Sequence, residues 1–281
     1  MKLGLGTAIA FVIFRTALTS SSAAAVTENF SYVTGAFLDN ANGGTGWNGS
    51  WNDDTFNSDG APETIASPGL TYPALNSSGN RLVVDGDASA DSRLLATGSI
   101  MGATGTTSWI GFLIRKDAKG NGGMRNPDYA GIDLFGSAGA TGTDLYAGAF
   151  TSGKFGLSGD GIAVESASAL TLGATYFLAV KITFRAGTDL VQLFVNPTLG
   201  PNEPSNPVAS KTDVDFGTID LFGIESGFNS VWSFDEIRIS NAFVDIPEPN
   251  AAALLVSGLF SFGRWNRRRI TPDRQQAIPA G

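Results

Sequence analysis

Five apolar residues spaced two apart fix the fold class of this chain. Tyr176, Leu178, Val180, Ile182 and Phe184 alternate with mostly smaller or charged residues through residues 175–185. A two-residue period places one set of side chains on one face of a strand and predicts that face to be buried. Ala186-Gly-Thr-Asp189 then turns the chain, and residues 190–195 return to make a hairpin. Further strands are expected at residues 81–84, 108–116, 129–135, 145–150, 219–224 and 231–239, with Gly, Asn, Asp and Ser clusters between them. No long stretch of helical period and no internal repeat lies between, which speaks against a solenoid or propeller. A span of about 220 residues is one that a single all-β sandwich reaches without a second domain. Residues 196–207 hold four prolines and read as an extended surface loop. Residues 39–51 set Trp47 and Trp51 among glycines and asparagines.

Both ends carry a different pattern. Met1-Lys2 opens a short basic region, an apolar stretch follows, and residues 19–25 are small, ending in Ala23-Ala-Ala25. That is the pattern of a secretory signal peptide over residues 1–25, cleaved after Ala23-x-Ala25. The working domain is then residues 26–245. Pro247 and Pro249, one residue apart, end it, because neither a strand nor a helix continues through them. Residues 251–263 are free of charge, and Arg264, Arg267, Arg268 and Arg269 close the run. An apolar run ending in a basic cluster is how a membrane segment marks its cytoplasmic end. At about 1.5 Å per residue it covers only ~20 Å of a hydrocarbon core roughly 30 Å thick, so snorkelling arginines and Trp265 must extend it. A buried terminal helix is the alternative for a run this short. Residues 270–281 form a polar tail.

Composition narrows the chemistry. The formal net charge is −8, and between Val26 and Asn250 there are 11 basic against 25 acidic residues. An acidic exterior disfavours nucleic acid, whose phosphates demand a basic face. The chain has no Cys, so disulfides and thiolate metal sites are excluded. It also has no His, which excludes Ser-His-Asp and Cys-His catalysis and imidazole-ligated zinc. Any active site must run on carboxylates, Tyr or Lys. Any metal must be a hard cation held by oxygen, Ca²⁺ being the natural one.

Pro247-Glu-Pro249, the short apolar helix and the arginine cluster together resemble the PEP-CTERM sorting signal of Gram-negative bacteria. The resemblance implies a transient anchor in the inner membrane. A membrane peptidase called exosortase would then cut near the Pro-Glu-Pro motif and release the protein to the cell surface or its extracellular polysaccharide matrix. The family's chains usually end at the arginines, whereas residues 270–281 follow here. The body between the signals is similar to one group of exported PEP-CTERM proteins. The likeness is carried by Gly43-Gly-Thr-Gly-Trp47 with Trp51, Pro68-Gly-Leu-Thr-Tyr-Pro73, Val195-Asn-Pro-Thr-Leu199 and Phe234-Asp-Glu-Ile-Arg-Ile239. It implies a laminin-G-like, concanavalin-A-like jelly roll, that is, two antiparallel sheets packed face to face. It also implies a Ca²⁺ site near the last strand, with Asp235 in the matching position and Asp53, Asp54 or Glu28 as further ligands. The alternative is that Asp235 hydrogen-bonds a neighbouring loop.

Carboxylate pairs occur at Asp53-Asp54, Asp85 with Asp87, Asp213 with Asp215, and Asp235-Glu236. Glycoside hydrolysis needs two carboxyls about 5–10 Å apart across a cleft. Sandwich glycosidases set Glu, Asp and Glu along one strand, and no such run exists here. Asp133 lies in a plausible strand without glutamate neighbours in sequence. Trp47 and Trp51 either stack on sugar rings or plug one end of the core. The expectation is a non-enzymatic exported surface or matrix protein with a structural or adhesive role. A carbohydrate-binding module and a polysaccharide-degrading glycosidase or lyase are the alternatives.

Overall fold

The structure, a computed structural model, describes residues 25–53, 63–86, 90–118, 128–136, 145–159, 162–227 and 230–246. Within them the chain is all-β, and two antiparallel sheets form a sandwich. Sheet A runs β13 (Ala209–Lys211), β12 (Leu190–Val195), β11 (Thr175–Thr183), β6 (Thr107–Ala118), β15 (Ser230–Ser240), β4 (Arg81–Gly86) and β3 (Thr64–Ala66), with β1 (Val26–Glu28) also on β15. Sheet B runs β10 (Val164–Ala169), β9 (Lys154–Gly159), β8 (Leu145–Ala149), β7 (Ala130–Gly136), β14 (Ile219–Ser226), β5 (Ala90–Leu95) and β2 (Trp47–Asp53).

The main core lies between the sheets. Ile110, Phe112 and Ile114 of β6, with Leu178, Val180 and Ile182 of β11, pack among Ile132, Leu134, Phe222 and Ile224 of sheet B. The alternation that predicted β11 therefore points its apolar set inward. The other face of β11 is not solvated, as a one-sided strand would be. Phe177 and Ala179 join Trp109, Leu113 and Phe194 in a second apolar cluster outside sheet A, covered by Leu70, Leu75, Phe243 and Ile246. A strand buried on both faces usually reads as one apolar run, but here Thr175, Lys181 and Thr183 share the outer face with Phe177 and Ala179, so the burial of this face was not foreseen.

Both ends of the described fold are fastened. Val26 is fully buried and pairs with Ile239, while Ala25 before it is exposed. Ile246 is fully buried, and its carbonyl accepts from Arg238 Nη1 at 2.9 Å. Gly111 makes room for it, since a Cβ there would stand 2.2 Å from Ile246 Cγ2. The domain thus includes Ile246, one residue beyond the expected boundary. Ala23, the motif Pro247, Glu248 and Pro249, the apolar run and Arg264, Arg267, Arg268 and Arg269 lie outside the described residues. Among the described residues no helix is long and apolar enough to cross a membrane.

Candidate functional site

The outer face of sheet B carries a row of small residues between acids. Glu225 of β14 stands opposite Gly131 of β7, Gly131 opposite Gly148 of β8, Gly148 opposite Gly156 of β9, and Gly156 opposite Glu165 of β10. In the neighbouring row Gly223, Asp133, Tyr146 and Ser158 stand opposite one another in turn. Asp133 and Glu225 are therefore diagonal neighbours on one face, within reach of each other. Tyr146 leans over the glycines: a Cβ on Gly131 would lie 2.8 Å from its ring, and one on Gly148 2.9 Å from its hydroxyl. Its hydroxyl donates to the carbonyl of Ala149 at 2.6 Å. Tyr129 and Phe150 stand nearly perpendicular to it, with centroids 6.0 and 5.2 Å away.

The electrostatics follow from this crowding. Burial pushes the Glu225 carboxyl up to about 7, and its hydrogen bond with Asp133 pulls the other way. Asp133 is buried at 3% exposure, whereas Glu225 is half-buried and reaches solvent. Burial, then Glu225, then Asp133 push the Tyr129 phenol up to about 12, and the same causes in the same order raise Tyr146. A carboxyl that titrates near neutrality can both give and take a proton there. The two carboxyls are hydrogen-bonded to each other, closer together than the two opposed acids of a glycosidase.

Sequence reasoning found Asp133 and missed its partner. Strand β14 was expected to end at Ile224, one residue short of Glu225. Strand order, which brings β14 beside β7, is set by long-range pairing that no local pattern encodes.

The residues singled out from sequence lie elsewhere. Trp47 and Trp51 do not form an exposed sugar platform. Trp51 is fully buried, and its Nε1 donates to Glu28 Oε2 at 3.2 Å. The two rings pack 5.5 Å apart and both meet Phe222. The Arg93 guanidinium lies 5.2 and 5.8 Å from their centroids and pairs with Glu28 at 3.1 Å. Arg93 also donates to the carbonyls of Gly43 and Gly49. The glycine-rich stretch thus wraps a buried ion pair and plugs one end of the core. Glu28, weighed as a cation ligand, is occupied by Arg93, the indole of Trp51 and the phenol of Tyr32. Asp54 lies outside the described residues.

Asp235 holds a loop. Its Oδ2 accepts from the Leu70 amide at 2.7 Å and its Oδ1 from the Glu236 amide at 2.8 Å. Burial, and then Glu236, push its carboxyl up to about 8, against the pull of these amides and Arg238. Glu236 pairs with Arg238 at 2.6 Å, and Arg238 also donates to the carbonyl of Asn76. Amide hydrogens and a guanidinium aimed at these oxygens do not fit a cation. Among the described residues no group of three acidic, His or Cys side chains is placed to hold a metal.

Neither a family model nor a curated protein matches the sequence. Solved structures do match. One is an endo-1,3-β-glucanase from Streptomyces sioyaensis, at 10% identity and TM-score 0.47, covering 79% of this chain and 97% of that one. Another is the alginate lyase AlgAT5 of polysaccharide lyase family 7, at 9% identity and TM-score 0.40, covering 59% and 80%. A third is Trypanosoma rangeli sialidase, at 12% identity and TM-score 0.40, covering 79% of this chain and 32% of that one. These matched proteins are enzymes, and on that finding the expectation of a non-enzymatic chain is withdrawn. At these identities the likeness is one of fold and brings no substrate with it.

Proposed function

We propose that the chain is an exported glycan-binding protein whose ligand, a strand of extracellular polysaccharide, lies across the outer face of sheet B. The observation that carries this reading is the half-buried Glu225 carboxyl, held against buried Asp133 at the head of a row of three glycines. Sugar hydroxyls donate well to carboxylates, and charge-assisted hydrogen bonds are the strong ones. The glycines seat the rings of Tyr146 and Phe150 flat against the pleat, and the half-buried rings of Tyr129 and Phe150 offer apolar edges to a long ligand. Cleavage of the bound strand is the second reading. It is favoured by the Glu225 carboxyl titrating near neutrality, where a general acid works best. Export rests on the signal-peptide pattern at residues 1–25 and on the PEP-CTERM pattern. The latter assigns an exosortase-type peptidase as processing partner and the inner membrane as a transient station.

A panel of soluble polysaccharides, scored for affinity and for new reducing or unsaturated ends, tests the site. Glu225→Gln and Asp133→Asn each weaken binding about tenfold or more if the outer face of sheet B is the site. New ends from the wild type that vanish in Glu225→Gln establish cleavage. Unchanged affinity in both variants sinks the assignment. Mass measurement of the mature surface protein tests sorting, which fails if residues 270–281 are retained.

A further inference from the structure

At the open edge of the sandwich a second concavity lies outside the acidic face. It measures about 360 Å³ and is lined by Phe155, Ser166, Tyr176, Asn196 and Val208, with Ala167 at its rim. That volume is within the range of small-ligand pockets. We infer that this edge cavity binds a single uncharged sugar ring, independently of the carboxyl pair on sheet B.

Two irregularities build it. Between the pairs Glu165–Gly156 and Ala169–Lys154 the register of β10 on β9 shifts, so residues 166–168 face Phe155 alone. Such a bulge lifts the edge strand off the ladder and re-aims its side chains. Ser166 turns inward, buried at 4% exposure, and its hydroxyl donates to the carbonyl of Ser168 at 3.1 Å. On the other wall Asn196 sits at φ +50°, a left-handed conformation that asparagine tolerates. Its amide nitrogen donates to the carbonyl of Phe177 at 2.8 Å, and its Oδ1 accepts from the Phe177 amide at 2.9 Å. With both fastened to β11, the two hydrogens of Nδ2 remain at the cavity wall. Val195 and Asn196 also line a separate hollow of about 510 Å³ formed by the proline-rich loop.

The lining selects the ligand. None of its side chains carries a charge, which disfavours uronates and amines. The Tyr176 ring is half-buried and held edge-on by Phe155 at 4.9 Å, and its hydroxyl accepts from the Thr171 amide at 2.8 Å. An oriented aromatic ring, a carboxamide donor, the hydroxyls of Ser166 and Ser168 and the methyls of Val195 and Val208, all lining the cavity, match one pyranose: apolar C–H groups on the ring, hydroxyls on the polar atoms.

The test is a titration of the full chain with methyl glucoside, methyl galactoside and methyl mannoside, with glucuronate and glucosamine as charged comparators, followed by amide NMR shifts. The expected result is saturable shifts at Ala167, Tyr176 and Asn196 with at least one neutral glycoside, and weaker or absent shifts with the charged sugars. Ala167 is exposed, so Ala167→Leu fills the cavity without touching the core and should weaken binding about tenfold or more. Asn196→Gly keeps the backbone angle and removes the donor, with loss in the same direction. Absence of saturation by every neutral glycoside overturns the inference. So do equal affinity in Ala167→Leu, preference for a charged sugar, or shifts confined to Gly131, Gly148 and Glu225. That last pattern would leave the sheet-B reading standing, and edge shifts alone would leave this one standing.

Discussion

The two outer faces of this sandwich start from the same pleat and end as opposites. Outside sheet A, Trp109, Leu113, Phe177 and Phe194 are roofed by Leu70, Leu75, Phe243 and Ile246, and the roof is pinned by Asp235 and Arg238. Outside sheet B, the corresponding positions hold glycines, tyrosines and a carboxyl pair. Each face carries one carboxyl pushed above its ordinary range by burial, Asp235 on sheet A and Glu225 on sheet B. The difference lies in their partners. Asp235 spends both oxygens on backbone amides and is fully buried, whereas Glu225 meets another acid and reaches solvent. A group consumed by the fold is structural, and one that the fold strains without covering is available for a ligand.

The largest expected effect comes from truncating one ring on each face. Phe177→Ala removes a side chain at 1% exposure from the roofed cluster and should cost about 3–5 kcal/mol in chemical denaturation. Phe150→Ala, at a half-buried ring on sheet B, should cost only about 1–2 kcal/mol. Equal losses would mean that both faces are core and that no open face exists for a ligand.

The strands β4, β6, β7, β8, β11, β12, β14 and β15 could be read from the chain as runs of apolar residues between Gly, Asn, Asp and Ser clusters. Strands β2, β9 and β10 could not. Gly, Ser and Ala make up half of Lys154–Gly159 and two thirds of Val164–Ala169, and they carry little strand preference of their own. Their pairing is imposed by β8. The same holds for the site: Asp133 was visible as an acid in an apolar strand, but its meaning depends on Glu225, 92 positions later in the chain. The tryptophans left two readings open, a sugar platform and a core plug. Glu28 and Arg93 supply the buried polar partners that decide for the plug, and neither is near Trp47 or Trp51 in sequence.

Acid titration separates the two carboxyls by a smaller margin. A carboxyl with a folded value above its unfolded one is held protonated by the fold, so stability is greatest below the unfolded value and falls as pH rises to the folded one. Glu225 contributes such a fall between about pH 4.5 and 7, and Asp235 between about 3.8 and 8. Melting temperature should therefore decline from mildly acid to neutral pH. Glu225→Gln should flatten that decline below pH 7 and leave the remainder, which belongs to Asp235. Parallel profiles for wild type and variant would show that Glu225 titrates like a solvent carboxyl and that the sheet-B face is merely wet.

The smallest effect is also the most local. Tyr129 is pushed up to about 12 first by burial and then by Glu225 and Asp133, whereas Tyr72, beside Phe177 on the sheet-A face, is raised by burial alone. Asp133 raises the phenol through its charge, so Asp133→Asn removes that contribution and leaves the burial of Tyr129 intact. The Tyr129 value should then drop by a fraction of a unit, remaining above 10 because burial is the leading cause. Tyr72 should not move. Tyrosine-ring NMR followed through alkaline titration resolves the two. If Tyr129 is as indifferent to Asp133→Asn as Tyr72, water screens the carboxyl pair from the phenol, and the four groups outside sheet B do not act as one cluster.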